Sequence, residues 1–537
     1  MTASVGASPG DAADVALTKR SVYVIFAALM AAMFLSALDQ SVVGTALPTI
    51  VGDLGAVEHE GWIVTAYLLA IAIVMPIYGK VGDLVGRRVP FLVAIALFVV
   101  GSTGSALSGS FVELVTWRSV QGLGGGGLVI LSQAIIADIV SAQDRGRYMG
   151  PMGAVFGIAT VLGPLLGGWF TEGPGWRWCF WINVPVGIAA FGIAWFKLRI
   201  PSHRSTRRFD VLGAALLAVG TAGIVLVTSW TSLTDAPGYD WSDPLLLGLV
   251  AATLAAAAAF LLVETRASDP LIPLGLFRSP TFSVSVSIAF VLGMAMFAAL
   301  SFLPTFLQMA RGVGPTESGL LMLPMTAGLM ITAIGSGLLI ARTGRYKVFP
   351  IVGMGVATLG LVWLTRITAE ISVATFGAMI FVLGFGLGLV IQTIVIAVQN
   401  SVAPELVGVA TSTNNFLREI GAAVGTSILS TAFTTRLTAS LDDAMARVPA
   451  GQVPKGLGPD SLTPETVDHL PGAVHDVVVN AYADALAPAF WYLVPLGVVG
   501  FVIAFFMKET RLSETAGLVA RAERSRAAQP PTASARQ

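Results

Sequence analysis

The chain has 537 residues, 55% of them hydrophobic and 12% charged, and a mean hydropathy of +0.80. Soluble domains carry about 25% charged residues, so this composition excludes an ordinary water-soluble fold and calls for a bilayer as solvent. Basic and acidic residues balance at 31 each, which gives no basis for binding nucleic acid, the lone Cys179 excludes an internal disulfide, and His59, His203, His469 and His475 lack metal-ligand spacing.

A hydrocarbon core about 30 Å thick is crossed by about 20 apolar residues in a helix. Apolar runs and their charged or Gly/Pro interruptions predict fourteen spans, at 22–50, 60–80, 89–108, 111–138, 147–171, 177–198, 210–231, 244–264, 280–309, 316–341, 347–367, 371–401, 405–434 and 487–507. The first run exceeds the core of a cleaved signal peptide, about 7–15 residues, and is read as a retained span. With the N-terminus inside, 23 of the 31 Lys and Arg fall in cytoplasmic segments and six in outer ones, while Arg118 and Arg418 lie within apolar runs. That bias predicts both termini in the cytoplasm and an even number of spans. Outside the membrane the reading expects a disordered N-terminus at 1–20, an extracytoplasmic loop at 435–486 and a basic cytoplasmic tail at 508–537.

Taken in chain order, span 1 holds LDQSVVGTALPTI, Leu38 to Ile50, with Asp39 embedded in apolar sequence. A charge at mid-membrane costs at least about 2.5–3.5 kcal/mol and is a functional candidate by default. Removing a carboxylate from water favours its neutral form, so Asp39 is a candidate for proton uptake and release. Span 2 closes on GKVGDLVGRR, where Gly79 and Gly86 permit a tight turn and close helix approach, and Asp83 can join Arg87 and Arg88 in a charge network at the membrane face. Span 4 reads WRSVQGLGGGG, Trp117 to Gly127; Arg118 and Gln121 share one helical face, and a buried guanidinium needs a carboxylate or carbonyl partner. In span 5, Gly150, Gly157, Pro164 and Gly168 fall within about 40° of one another, and Gly163 and Gly167 lie beside them, a small-residue surface on which another helix can slide. WRWCFWINVPVG, Trp176 to Gly187, opens span 6 with interfacial aromatics. GLLIARTGRYK, Gly337 to Lys347, echoes the span 2 string without its carboxylate and indicates an internal repeat. Arg418 and Glu419 are further intramembrane charges in span 13, with Glu419 the second proton-site candidate after Asp39.

The string GKVGDLVGRR resembles the cytoplasmic signature of the major facilitator superfamily. The span 1 string is similar to one in drug exporters of that superfamily, although Ser41 and Gly44 stand where the family commonly has Thr and Asn. GPLLGG, Gly163 to Gly168, resembles the motif that marks exporters. WRWCFWINVPVG, LPTFLQ (303–308), GLLMLP (319–324) and NNFLREIGAAVG (414–425) resemble the fourteen-span drug:proton antiporter branch. The resemblance implies an all-α integral membrane protein of the major facilitator fold: a six-helix bundle at 21–200, two inserted helices at 201–279 and a second six-helix bundle at 280–507. It implies proton coupling through Arg118 and export of small amphipathic, drug-like molecules by alternating access, in a chain that works as a monomer in the cytoplasmic membrane. No GxxxxGK[ST] string is present, so no ATP module is expected and no cofactor is required beyond a proton gradient. An enzyme is disfavoured because the spans lack a nucleophile–base or metal constellation. A dedicated exporter of an endogenous metabolite, antibiotic or lipid fits the same residues. A non-transporting receptor or scaffold fits them less well, because Asp39 and Arg118 are both retained.

Overall fold

In hydrocarbon, every backbone polar group must be satisfied within the chain, which favours helices. The computed structural model describes residues 19–55, 61–198, 209–230, 242–445, 467, 470, 472–510 and 512, and its elements are helical throughout. Fourteen helical passes occur among the described residues. They are α1 (Lys19–Leu54), α2 (Gly61–Val85), α3 (Arg88–Leu107), α4 (Phe111–Ile139), α5 (Arg145–Glu172), α6 (Trp178–Lys197) and α7 (Val211–Thr228). There follow α8 (Pro244–Arg266), α9 (Pro280–Arg311), α10 (Thr316–Thr343), α11 (Val348–Leu364), α12 (Val373–Asn400), α13 (Val407–Met445) and α14 (Val474–Phe505). Twelve are long and apolar enough to cross a bilayer; α11 is shorter, and α13 carries the polar run Thr411 to Asn415.

The ends of α13 and α14 correct the expected 435–486 loop. Both helices reach into it, with α13 continuing to Met445 and helical backbone beginning at Gly472, just ahead of Val474. The charged and amide residues that break the apolar run, Asp476, Asn480 and Asp484, recur every fourth residue and form one exposed stripe. Val474, Val478, Tyr482 and Leu486 are buried on the other side. Residues 446–466, with the expected tails at 1–18 and 513–537 and the linkers 199–208 and 231–241, lie outside the described residues.

Helices α1–α6 pack as one half and α9–α14 as the other, and the halves meet where α5 lies along α10 and α2 along α13. In the first half α4 is the central helix, wedged between α2 and α3, and its glycine run lets both approach. Helix α7 packs on α2 and α13 together, and α8 packs on α7. Only 17% of the apolar stretch of α8 is buried against protein, compared with 89% for α4, which leaves α8 facing lipid. The segment after α8 is strapped down: Lys80 Nζ donates to Asp269 Oδ1 at 2.6 Å and to the Pro270 carbonyl at 2.8 Å. The Glu264 carboxylate accepts from the backbone N–H groups of Leu271 and Ile272. One face of the bundle gathers Arg87, Arg88, Arg145, Arg147, Lys197, Arg266, Arg342, Arg345 and Lys347 and is called the basic face below.

Candidate functional site

Asp39 sits midway along α1 and is 1% exposed, as is Arg118 of α4. The Arg118 guanidinium donates to Asp39 Oδ2 and, at 2.8 Å, to Gln121 Oε1. The other carboxylate oxygen accepts from Gln121 Nε2 at 2.8 Å and from Asn183 Nδ2 of α6 at 2.9 Å. Asn183 Nδ2 also donates to Ser102 Oγ of α3 at 3.1 Å, and the guanidinium lies over the Tyr67 ring of α2, 4.1 Å from its centroid. Five helices of the first half therefore converge on one ion pair, as isolated buried charges require. Asp39, Arg118 and Gln121, singled out separately in the sequence, meet here.

Asp39 points away from the central space, but its neighbours do not. Gln40, Ser41, Gly44 and Thr45 line a cavity of about 480 Å³ between α1, α5, α9 and α10, with Phe156, Thr160 and Met296 on the other walls. A second lobe of about 360 Å³, between α2, α7 and α13, shares Gln40, Phe297 and Ser301 with the first. Glu419 lines this lobe with a side chain 15% exposed, and its Oε1 accepts from Arg418 at 2.9 Å. Of the two carboxylates singled out in sequence, Glu419 faces the cavity and Asp39 is sealed behind its wall. Pro48, Pro304 and Ser318, near the ends of their helices remote from the basic face, line the first lobe, so the cavity lies toward that opposite face.

The basic face is closed. Asp83 Oδ2 accepts from the backbone N–H of Val409 at 2.8 Å and Oδ1 from that of Gly408 at 3.2 Å, a carboxylate of the first half seated on the start of α13. Arg87 is held by Asp83 and, through Nε at 3.2 Å, by Asp138 at the end of α4. Gly79 and Gly408 face each other so closely that a Cβ on either would come 2.7 Å from the other's carbonyl oxygen. Gly86 adopts a left-handed φ of 89°, which turns α2 into α3. Arg88 donates instead to the Trp195 carbonyl of α6 at 2.7 Å, within its own half.

The small-residue stripe of α5 faces α10. A Cβ on Gly150 would meet the Ala333 carbonyl at 2.7 Å, one on Gly157 would meet Thr326 at 2.9 Å and one on Gly168 would meet Thr316 at 3.0 Å, while Pro164 packs on Gly319. Gly163 and Gly167 face the other way, onto Ser41 and Thr45 of α1. One helix thus presents small residues both to the opposing half and to the helix that carries Asp39.

A sequence model of the Major Facilitator Superfamily matches residues 29–426. The chain belongs to the major facilitator superfamily. It is 33% identical over 511 residues to multidrug transporter protein MdtP of Bacillus subtilis (strain 168), covering 91% of this chain and 94% of that one. With Multidrug resistance protein 3 of the same organism it shares 30% identity, covering 92% and 96% of the two chains. The solved structure of the human organic anion transporter MFSD10 shares its fold, with a TM-score of 0.59 at 15% identity over 90% of this chain and 99% of that chain.

This major facilitator protein also holds site residues that the sequence reading passed over. Asn183 is an uncharged amide inside an aromatic string and announced no partner. Asp138, an acid at the edge of the expected span 111–138, was not singled out in the sequence, yet it holds Arg87.

Proposed function

We propose that this facilitator exports small amphipathic molecules across the cytoplasmic membrane in exchange for protons, acting as a monomer with its basic face in the cytoplasm. The observation that carries the reading is the adjacency on α1 of Asp39, buried against Arg118, and of Gln40 and Ser41, which line the cavity. One helix turn then answers to both the proton and the substrate. The excess of Lys and Arg on the basic face supports the orientation, and relatives named as multidrug transporters support the substrate class.

In the outward-facing state, with the basic face shut, substrate occupies the cavity. A proton entering from outside neutralises Asp39, and the Arg118 guanidinium loses its counter-charge. The hydrogen bonds from Gln121 and Asn183 rearrange, α1 shifts against α4, and the wall at Gln40 and Ser41 loses its fit to the substrate. Release leaves a proton-loaded protein, in which the α5–α10 and α2–α13 contacts exchange and the basic face opens. The proton then leaves to the cytoplasm, Asp39 regains its pair, and substrate is taken up. Coupling here is competition through conformation. Glu419, paired with Arg418, presents a carboxylate to the second lobe that can attract cationic substrates.

The test uses everted vesicles and ethidium. Asp39→Asn is expected to insert normally and still bind ethidium while losing uptake driven by a proton gradient, because the amide cannot cycle a charge. Uptake at the wild-type rate in Asp39→Asn would remove the proton site from α1.

A further inference from the structure

The shut half of the protein contains amide side chains that its own closure leaves unsatisfied. Gln133 of α4, Gln392 and Gln399 of α12 and Asn415 of α13 are each no more than 2% exposed. Asn415 Nδ2 donates to Gln133 Oε1 at 2.9 Å, and Gln399 Nε2 donates to Thr411 Oγ1 at 3.1 Å. Among the described residues, Gln133 Nε2, Gln399 Oε1, Asn415 Oδ1 and both terminal atoms of Gln392 have no hydrogen-bond partner. Buried polar groups are ordinarily paired, and each that is not carries its full desolvation penalty. Apolar side chains would serve a permanent seam better.

Their placement gives them a use. Gln133 belongs to the first half and the other three to the second, so the group straddles the seam that must part when the basic face opens. Gln392 and Gln399 are seven residues apart, on one face of α12 and about 10 Å apart along its axis. Gln392 lies against Gly153 of α5, where a Cβ would come 2.7 Å from its Cγ and 3.0 Å from its Nε2. Gly153 is about one helical turn from Gly157, which lines the floor of the central space. The amides therefore form a ladder from the basic face toward the cavity, and none of the four is titratable.

We infer that Gln133, Gln392, Gln399 and Asn415 line the vestibule that opens on the basic face and there bind neutral solutes carrying amide, hydroxyl or carbonyl groups. This rests on the alternating-access reading above and names the substrate class for the side of uptake. A carboxamide offers both a donor and an acceptor, so opening the seam turns unpaired atoms into contacts for water or solute without any need for a positive charge. Gly153, lacking a Cβ, lets Gln392 pack directly against the backbone of α5. Recognition at uptake is then by hydrogen bonding, and the carboxylate of Glu419 acts only on the other side of the cycle.

Two measurements on the purified full-length chain in nanodiscs test this, both using Asp83→Asn to favour the open basic face. In the first, Gln392→Cys is expected to react with N-ethylmaleimide at least about tenfold faster in the Asp83→Asn background than without it. In the second, equilibrium binding is compared for chloramphenicol, which is neutral with an amide and hydroxyls, and tetraphenylphosphonium, a cation with no hydrogen-bonding group. Gln392→Leu and Gln399→Leu are each expected to weaken chloramphenicol binding about fivefold or more, with tetraphenylphosphonium changed less than about twofold. An unreactive cysteine, no chloramphenicol binding in the parent, or equal effects on both probes each overturns the assignment. Vesicle transport of the two probes reports separately on the export reading, since labelling and binding require no turnover.

Discussion

Asp83→Asn isolates what holds the basic face shut. Asp83 makes two kinds of contact, and only one depends on the state of the transporter. Arg87 follows Asp83 by four residues, so that ion pair persists when the halves separate. The hydrogen bonds from Gly408 and Val409 cross between halves and exist only when the face is closed. A hydrogen bond to a charged group contributes about 1.5–3 kcal/mol, and a carboxylate at a helix N-terminus adds about 0.3–1 kcal/mol. The neutral amide keeps one weaker acceptor contact, so the net loss is about 2–3 kcal/mol, which moves the closed-to-open ratio of the basic face about 30- to 150-fold. Spin labels on Gln143→Cys and Ala341→Cys report the change, since Gln143 Nε2 donates to the Ala341 carbonyl at 3.1 Å across the seam. Cys179 is fully buried and stays silent. The parent is expected to show one short distance by double electron–electron resonance, and Asp83→Asn a majority at longer distance. An unchanged distribution would refute the argument.

Arg118→Lys keeps a positive charge beside Asp39 but cannot donate to both the carboxylate and Gln121 Oε1 in one plane. It is expected to lose substrate-induced proton release as completely as Arg118→Ala while retaining ethidium binding, and near-normal release in the lysine variant would reduce Arg118 to a charge neutraliser. For orientation, a cysteine at Thr368, exposed on the face opposite the basic one, is expected to react with an impermeant maleimide on intact cells, whereas one at Thr343 should react only after the cells are opened.

Both members of the ion pair were legible because charges in apolar sequence announce themselves, and a buried guanidinium demands a carboxylate or carbonyl partner, but that the partner is Asp39 came only from the fold. The third donor, Asn183, was not legible, since a neutral amide carries no such demand. Glycine periodicity in α5 fixed a face but not its partner, which depends on how the halves dock, and it gave no hint that Gly163 and Gly167 serve α1 instead. Arg87 was foreseen as a partner of Asp83, but its partner across the seam was invisible: it is two backbone N–H groups at the start of α13, which leave no mark on residue identity. The extent of α14 was missed because polar residues every fourth position look like a break when counted along the chain and like a stripe when wound on a helix.

The strap behind α8 makes the moving parts unequal. Lys80 ties the 269–270 segment to α2, while Leu271 and Ile272 join Ala214 and Leu217 of α7 against Phe416 and Ile420 of α13. The tether to the first half is ionic and directional, and the contact with the second half is greasy and has no register. On the alternating-access proposal, a rotation between halves would carry α7 and α8 with α2 and slide α13 past them. The moving parts would then be a body of eight helices against one of six, with Phe416 and Ile420 at the sliding contact. Side chains at that contact would then set the rate of each stroke separately from the stability of either end state.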